Sequence, residues 1–423
     1  MMHLKSCRPY YSRAVAAALV LLLSACGGSD GSGNSAGADP VAAAAAAGSS
    51  AIAAPVAPAP AAATAASGNT AMEVPSGYSI VQASSFGVKC DGSSNDTGAL
   101  QAALNGLKSN QALQLPSGTC IYSNKLTLYA KNNVMIMGAG KDATVLQATD
   151  PLHSSLVISQ SDTVALSAFQ IYSPNSTSRT TDADSRGVYV EKSNKVVIDG
   201  VKVRKVAGAG ILYYSSTNAQ VTNSVVDSSR ADAFHFTGTQ NVLAQYNVAL
   251  NAGDDCFASI GYGTDINRNV QFLDNTCSDN LASGVSFEGT TGGQAYRNKL
   301  TRTGVAAIRV ASIIEWRTGA VDQIDMRDNV LDDVKTRTDI GHAAIMVFST
   351  MSNVTNVSIA NTTITNPRTS TAAQVMDYVP DAQVSGIKIA NMTVKSTGTV
   401  SSCIGFLNAS AILSGNTLNG TSC

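Results

Sequence analysis

One short pattern recurs through the stretch from Arg186 to Val310, and it limits what this chain can fold into more than any other feature. Its members are Arg186-Gly187-Val188-Tyr189-Val190, Ala209-Gly210-Ile211-Leu212-Tyr213, Asp232-Ala233-Phe234-His235-Phe236, Asp255-Cys256-Phe257-Ala258-Ser259, Ser283-Gly284-Val285-Ser286-Phe287 and Ala306-Ala307-Ile308-Arg309-Val310. Their first positions lie 23, 23, 23, 28 and 23 residues apart. Apolar residues at the third and fifth places of most members mark a strand with one buried face. One such unit cannot bury its apolar face alone, so a period in the twenties calls for stacked coils. The pattern predicts a parallel β-helix.

At 423 residues the chain could hold two or three ordinary domains, but a solenoid can run longer on one continuous core. Charged residues are only 13%, and the formal net charge is −1. With no basic cluster interleaved with aromatics, the chain lacks the counterion-release affinity of a nucleic-acid binder. Aromatic residues at 5% also argue against a surface paved with sugar-stacking rings. No Cys-x-x-Cys or close Cys/His set points to zinc, and there is no phosphate-binding glycine loop. The expectation is therefore no metal and no cofactor, with Ca²⁺ considered only for a lyase.

The amino terminus reads as an export signal over residues 1–25. Lys5, Arg8 and Arg13 precede the apolar run Ala14 to Leu23, which is too short to span a bilayer. The run ends in Leu23-Ser24-Ala25-Cys26, which resembles the lipobox of bacterial lipoproteins. That resemblance implies cleavage before Cys26, acylation of its thiol, and a membrane partner reached through lipid. Gly27 in the next place implies the outer membrane, on its periplasmic or cell-surface side. The plainer alternative is an ordinary signal with a chance cysteine. Residues 26–73 are Ala, Gly, Ser and Pro with almost no charge, the composition of a tether. Six later cysteines, at 90, 120, 256, 277, 403 and 423, suit disulfides in an exported protein. Fifteen pairings are open; joining neighbours is the simplest, since each pair lies within about one coil.

The folded domain is expected over 74–423, as a monomer. Asn95 or Asp96 can cap a helix whose Leu100, Leu104 and Leu107 share a face and would cover the first coil. Strands follow around Leu113–Leu115, Lys125–Tyr129 and Val134–Met137. The run Phe86-Gly87-Val88, Asp91-Gly92, Asn95-Asp96-Thr97, Ala99-Leu100-Gln101-Ala102-Ala103 resembles the opening of pectate-lyase-superfamily proteins, including glycoside hydrolase family 28, the polygalacturonases. The resemblance implies an all-β, right-handed parallel β-helix with an amino-terminal capping helix. Asn223, Asn247, Asn275, Asn298, Asn329, Asn361, Asn391 and Asn416 recur once per coil after short strands, and are expected to form one hydrogen-bonded ladder.

Asp232 and Asp254-Asp255 stand at one corner of two successive coils. Stacking would place Asp232 and Asp255 about 5 Å apart, one strand spacing. Carboxylates that close do not all ionise readily, so one should hold a proton beside an ionised partner. That division serves glycosidic cleavage, in which one group protonates the leaving oxygen and another activates water. The alternative is a set of turn aspartates beside Gly253. Gly253-Asp254-Asp255-Cys256 resembles the Gly-Asp-Asp-Cys motif of family 28, and Asp232 falls at its preceding aspartate. By that resemblance Asp254 is the general acid, Asp232 and Asp255 activate water, Cys256 pairs with Cys277, and Arg309 contacts a substrate carboxylate. His235, Arg309 and Tyr189 fall at equivalent outward places and are expected to line the substrate groove.

The chain departs from the family at Ala282-Ser283-Gly284, where its histidine is missing, at Ala311 in place of its lysine, and at Arg230-Ala231 before the first aspartate. One coil's spacing points to retention of anomeric configuration, whereas the family implies inversion. Three readings follow: a hydrolase of a pectin-like acidic polysaccharide, a polysaccharide lyase using His235 or Arg309, and a carbohydrate-binding solenoid without catalysis. Trp316 can stack on a sugar or fill a core; His342 reads as structural, and His153 carries no signal.

Overall fold

The computed structural model describes residues 72–379, 382–398 and 400–423. The export signal, Cys26 and nearly all of the tether lie outside the described residues. The rest winds into a right-handed parallel β-helix. Three sheets run its length, two of 14 strands and one of 11, and strands pair in parallel with their equivalents one coil away, except for a closing antiparallel pair in which Thr417 meets Ser422. Among the described residues, no helix is long and apolar enough to cross a membrane.

The repeat fixes the register of the 11-stranded sheet. Val188, Ile211, Phe234, Phe257, Val285 and Ile308 stack in one file, and Tyr189, Leu212, His235, Ala258, Ser286 and Arg309 in the next. The first file points inward. Phe234 and Phe257 stack there with ring centroids 5.0 Å apart, and elsewhere in the core Phe287 stacks at 5.3 Å on Phe272, which comes from another sheet. Side-chain period two then turns the second file outward along the whole sheet.

The helix Thr97–Gly106 covers the first coil with Leu100, Ala103 and Leu104; Leu107, just beyond it, is buried as well. The Asn95 carboxamide oxygen accepts the Thr97 amide, while Asp96 turns inward to accept the amides of Lys89 and Cys90. Cysteines are joined as Cys90–Cys120, Cys256–Cys277 and Cys403–Cys423.

The single asparagine ladder needs correction, because it is two files one residue out of step. Asn247, Asn275, Asn298 and Asn329 are buried, and each of the first three passes an amide hydrogen to the carboxamide oxygen of the next at 3.1 Å. Asn416 takes the same inward place, accepting from the Met392 amide. Asn223, Asn361 and Asn391 occupy the preceding position, outside the coil, with φ of 51°, 52° and 54°. Asparagine suits both places, as an interior hydrogen-bond relay and as a residue tolerant of left-handed backbone.

Candidate active site

The three aspartates sit at the turn that delivers each coil into the 11-stranded sheet. Gly253 lets this turn stack: a Cβ there would lie 2.3 Å from the Arg230 carbonyl oxygen. Asn280 then donates to the carbonyls of Asp254 and Ser283, at 2.9 and 2.7 Å, tying the acid-bearing turn to the next one. Cys256 anchors the same corner through its bond to Cys277. The result brings one carboxylate oxygen from each of Asp232, Asp254 and Asp255 within 4.8 Å of the other two.

Their surroundings divide them. Asp232 accepts from the Asp255 amide at 3.0 Å, and its other oxygen lies 2.6 Å from His235 Nδ1. Burial pushes the Asp232 carboxyl up, but His235 and the Arg179 charge outweigh it and hold it below the usual carboxylate range. Asp255 is buried with both oxygens occupied, one by the Ser283 amide at 2.6 Å, the other by Ser286 Oγ at 2.6 Å and Arg309 Nη2 at 2.9 Å. Asp254 keeps 27% of its side chain exposed and meets Arg179 Nη1 at 2.6 Å. Burial, followed by the charges of Asp232 and Asp255, pushes its carboxyl up to about 7 despite that arginine. One protonated, accessible acid thus stands beside two ionisable, hydrogen-bonded ones.

The three residues expected to line the groove behave otherwise. His235 and Arg309 are nearly buried and are spent on Asp232 and Asp255. They position carboxylates, because a buried charge or imidazole is stable only with a partner. Tyr189 lies two coils before His235, bonds Glu191 at 3.1 Å, and carries the Arg186 guanidinium over its ring. It stands apart from the acids.

Two residues went unnoticed in the sequence. Arg179 belongs to an irregular segment 75 residues before Asp254 and carries no periodic signal. Glu288 is fully buried, with Oε1 2.9 Å from Arg309 Nε. Burial first, and then the Asp255 and Asp254 charges, push its carboxyl up to about 7 against the pull of Arg309. Its signal was available: an acid two places along from Ser286, which pairs with Arg309 on the next coil. Trp316 is partly exposed, with the Arg309 guanidinium 5.2 Å from its ring centroid, so it belongs to the site and not the core. His342 is half-buried against Phe348, and burial lowers its imidazole to about 4, which keeps it neutral.

Among the described residues, two groups place three acid or cysteine side chains close enough to share an ion. In the first, Cys90 and Cys120 are already bonded to each other and Asp96 caps two amides, so it is structural. The other is the aspartate trio, already balanced by Arg179 and Arg309.

Comparison with known proteins agrees with this architecture. The family model described as a right-handed beta helix region matches residues 156–315. The Agl-KA catalytic domain is 20% identical with a TM-score of 0.65, over 82% of this chain and 69% of that one. The catalytic unit of a thermostable GH87 alpha-1,3-glucanase from Streptomyces thermodiastaticus strain HF3-3 is 17% identical, with a TM-score of 0.59 over 82% and 70%. A hyperthermoactive exopolygalacturonase from Thermotoga maritima is 13% identical, with a TM-score of 0.60 over 81% and 93%. No curated protein sequence matches. At these identities the likeness is one of fold: the chain is a right-handed parallel β-helix.

Proposed function

We propose that the protein hydrolyses glycosidic bonds of a polysaccharide, with Asp254 as general acid and Asp232 and Asp255 activating water. The observation that carries this reading is the division of three adjoining carboxylates into a raised, accessible one and two held in hydrogen bonds. Resemblance in fold to an alpha-1,3-glucanase and an exopolygalacturonase supports the same class.

The substrate's bridging oxygen takes the Asp254 proton as the bond to the anomeric carbon breaks. A water held at Asp232, in the field of the buried Asp255 that Arg309 and Ser286 fix in place, attacks from the opposite side and passes its proton to the Asp232 carboxylate. Direct attack by a carboxylate is less suited, since Asp255 is 1% exposed with both oxygens bonded. That favours inversion. The lyase alternative needs a free base and a free cation for the uronate, whereas His235 and Arg309 are both bound to carboxylates. The charged-then-apolar amino terminus and Cys26 add, as part of the proposal, lipid anchoring at the outer membrane.

The test is a polysaccharide panel read for new reducing ends and for ultraviolet absorbance. Reducing ends without absorbance, abolished in Asp254→Asn, are expected. Absorbance from unsaturated sugars would replace hydrolysis by elimination, and activity unchanged in Asp254→Asn would remove the assignment.

A further inference from the structure

Asp254 takes its side-chain partner from a distant part of the chain. Arg179 follows the strand Gln170–Tyr172, which stacks in turn on Lys202–Arg204, Val225–Asp227 and Val248–Leu250, the strand before Asp254. Arg179 therefore starts three coils away, about 14 Å at one strand spacing per coil, farther than one side chain reaches. The segment 173–181 covers the rest by leaning along the axis, and it is pinned as it does so. The amides of Ser173 and Thr180 donate to the carbonyls of Arg204 and Ala207 on the next coil, at 3.1 and 3.0 Å. Arg230, one coil further on, donates from Nη2 to the Ser176 carbonyl at 3.0 Å. Residues 177–179 stand exposed between these anchors, and the last of them delivers its guanidinium to Asp254.

The contact falls on one oxygen. Arg179 Nη1 lies 2.6 Å from Asp254 Oδ2, and no hydrogen bond among the described residues falls on Oδ1. With 45% of the Arg179 side chain exposed, the ion pair adds little to fold stability, so stability does not account for a segment drawn across three coils. The other arginine of the site bonds Asp255 and Glu288 instead.

Proton donation creates charge at this place. The O–H bond of Asp254 breaks and its electron pair stays on the carboxylate. The proton joins the bridging oxygen, which takes the electron pair of the breaking bond to the anomeric carbon. The charges of Asp232 and Asp255 oppose a further negative charge beside them. A guanidinium bonds a carboxylate more strongly than a neutral carboxyl, so it favours the state after transfer over the state before.

We propose that Arg179 is a positioning residue for the general acid: it ties Asp254 Oδ2, leaves Oδ1 to donate, and balances the negative charge that forms as the proton leaves. This rests on the hydrolase reading of the same site and adds a residue to it.

Arg179→Gln and Arg179→Lys in the full-length protein test the role. Each is followed by infrared titration of Asp254, taken as the difference from the same variant carrying Asp254→Asn, and by the pH profile of kcat/KM on the polysaccharide panel. Arg179→Gln should keep its circular dichroism, move the Asp254 midpoint up by about one pH unit, and lower turnover about tenfold while the alkaline limb moves up with the midpoint. Loss of a merely structural contact would slow the enzyme without extending its activity to higher pH. Arg179→Lys keeps the charge and should bring the midpoint most of the way back. An unmoved midpoint in Arg179→Gln, turnover there equal to that of the unaltered protein, or a midpoint in Arg179→Lys as high as in Arg179→Gln would each overturn the proposal. None of these touches the hydrolase reading, which is decided by turnover in the unaltered protein and its loss in Asp254→Asn. A midpoint that moves as expected in a chain that hydrolyses no glycan would remove the hydrolase reading, and the catalytic role of Arg179 with it, while the linkage between Arg179 and Asp254 stood.

Discussion

Replacing Glu288 by glutamine should change how stability depends on pH, by an amount the structure sets. The carboxyl is fully buried beside Arg309 and is pushed from its ordinary 4.5 to about 7, with burial the largest cause. In the unfolded chain it releases its proton at 4.5. Between these values the unfolded chain has lost a proton that the folded protein retains, so stability falls as pH rises. At about 1.4 kcal/mol per unit the effect totals about 3 kcal/mol, complete near pH 8. Glutamine keeps the shape and places a carboxamide oxygen beside Arg309 Nε, but it does not titrate. The stability of Glu288→Gln relative to the unaltered protein should therefore improve by about 3 kcal/mol from about pH 4.5 to about pH 8. Urea denaturation followed by Trp316 fluorescence at several pH values measures this difference, and making the same comparison in an Asp254→Asn background removes the contribution of Asp254, whose charge acts on Glu288. A difference that stays constant within about 0.5 kcal/mol would refute the reasoning about Glu288.

Other outcomes follow from the same geometry. Asp254→Asn should lower turnover at least about a hundredfold with the fold intact, checked by reducing-end assay and circular dichroism. The pH profile of kcat/KM should fall above about pH 7, as Asp254 loses the proton it donates, and its acid limb should lie below the usual carboxylate range because Asp232 is held low. Asn275→Ala removes a buried carboxamide that accepts from the Asn247 amide and donates to the Ala244 carbonyl, and should cost about 3 kcal/mol or more in urea denaturation. The sugar product, followed by proton NMR as it forms, should appear first as the anomer opposite to that of the substrate.

The sequence made the coil stacking legible because outward and inward places alternate with period two and recur at 23 residues. That alone aligned Asp232 with Asp255 and put His235 and Arg309 in one file. It could not show that those two side chains turn back onto the carboxylates, since an outward place on a strand does not reveal whether a loop covers it. Arg179 was invisible for a related reason: it reaches Asp254 from an irregular segment, where no period fixes position. The two asparagine files look like one in the sequence because one residue type satisfies two different backbone demands one position apart. Glu288 is readable in principle, since it lies two places beyond Ser286, the register partner of Arg309, but it falls one place past the five-residue repeat.

The central claim is that three aspartates from two stacked coils share one site whose proton rests on Asp254. Isotope-edited infrared titration, taken as the difference between the unaltered protein and Asp254→Asn, reads that carboxyl directly. A midpoint near 7 that moves down in Asp232→Asn is predicted, because the Asp232 charge is one of its causes. A midpoint near the ordinary 3.8, indifferent to Asp232→Asn, would contradict the account.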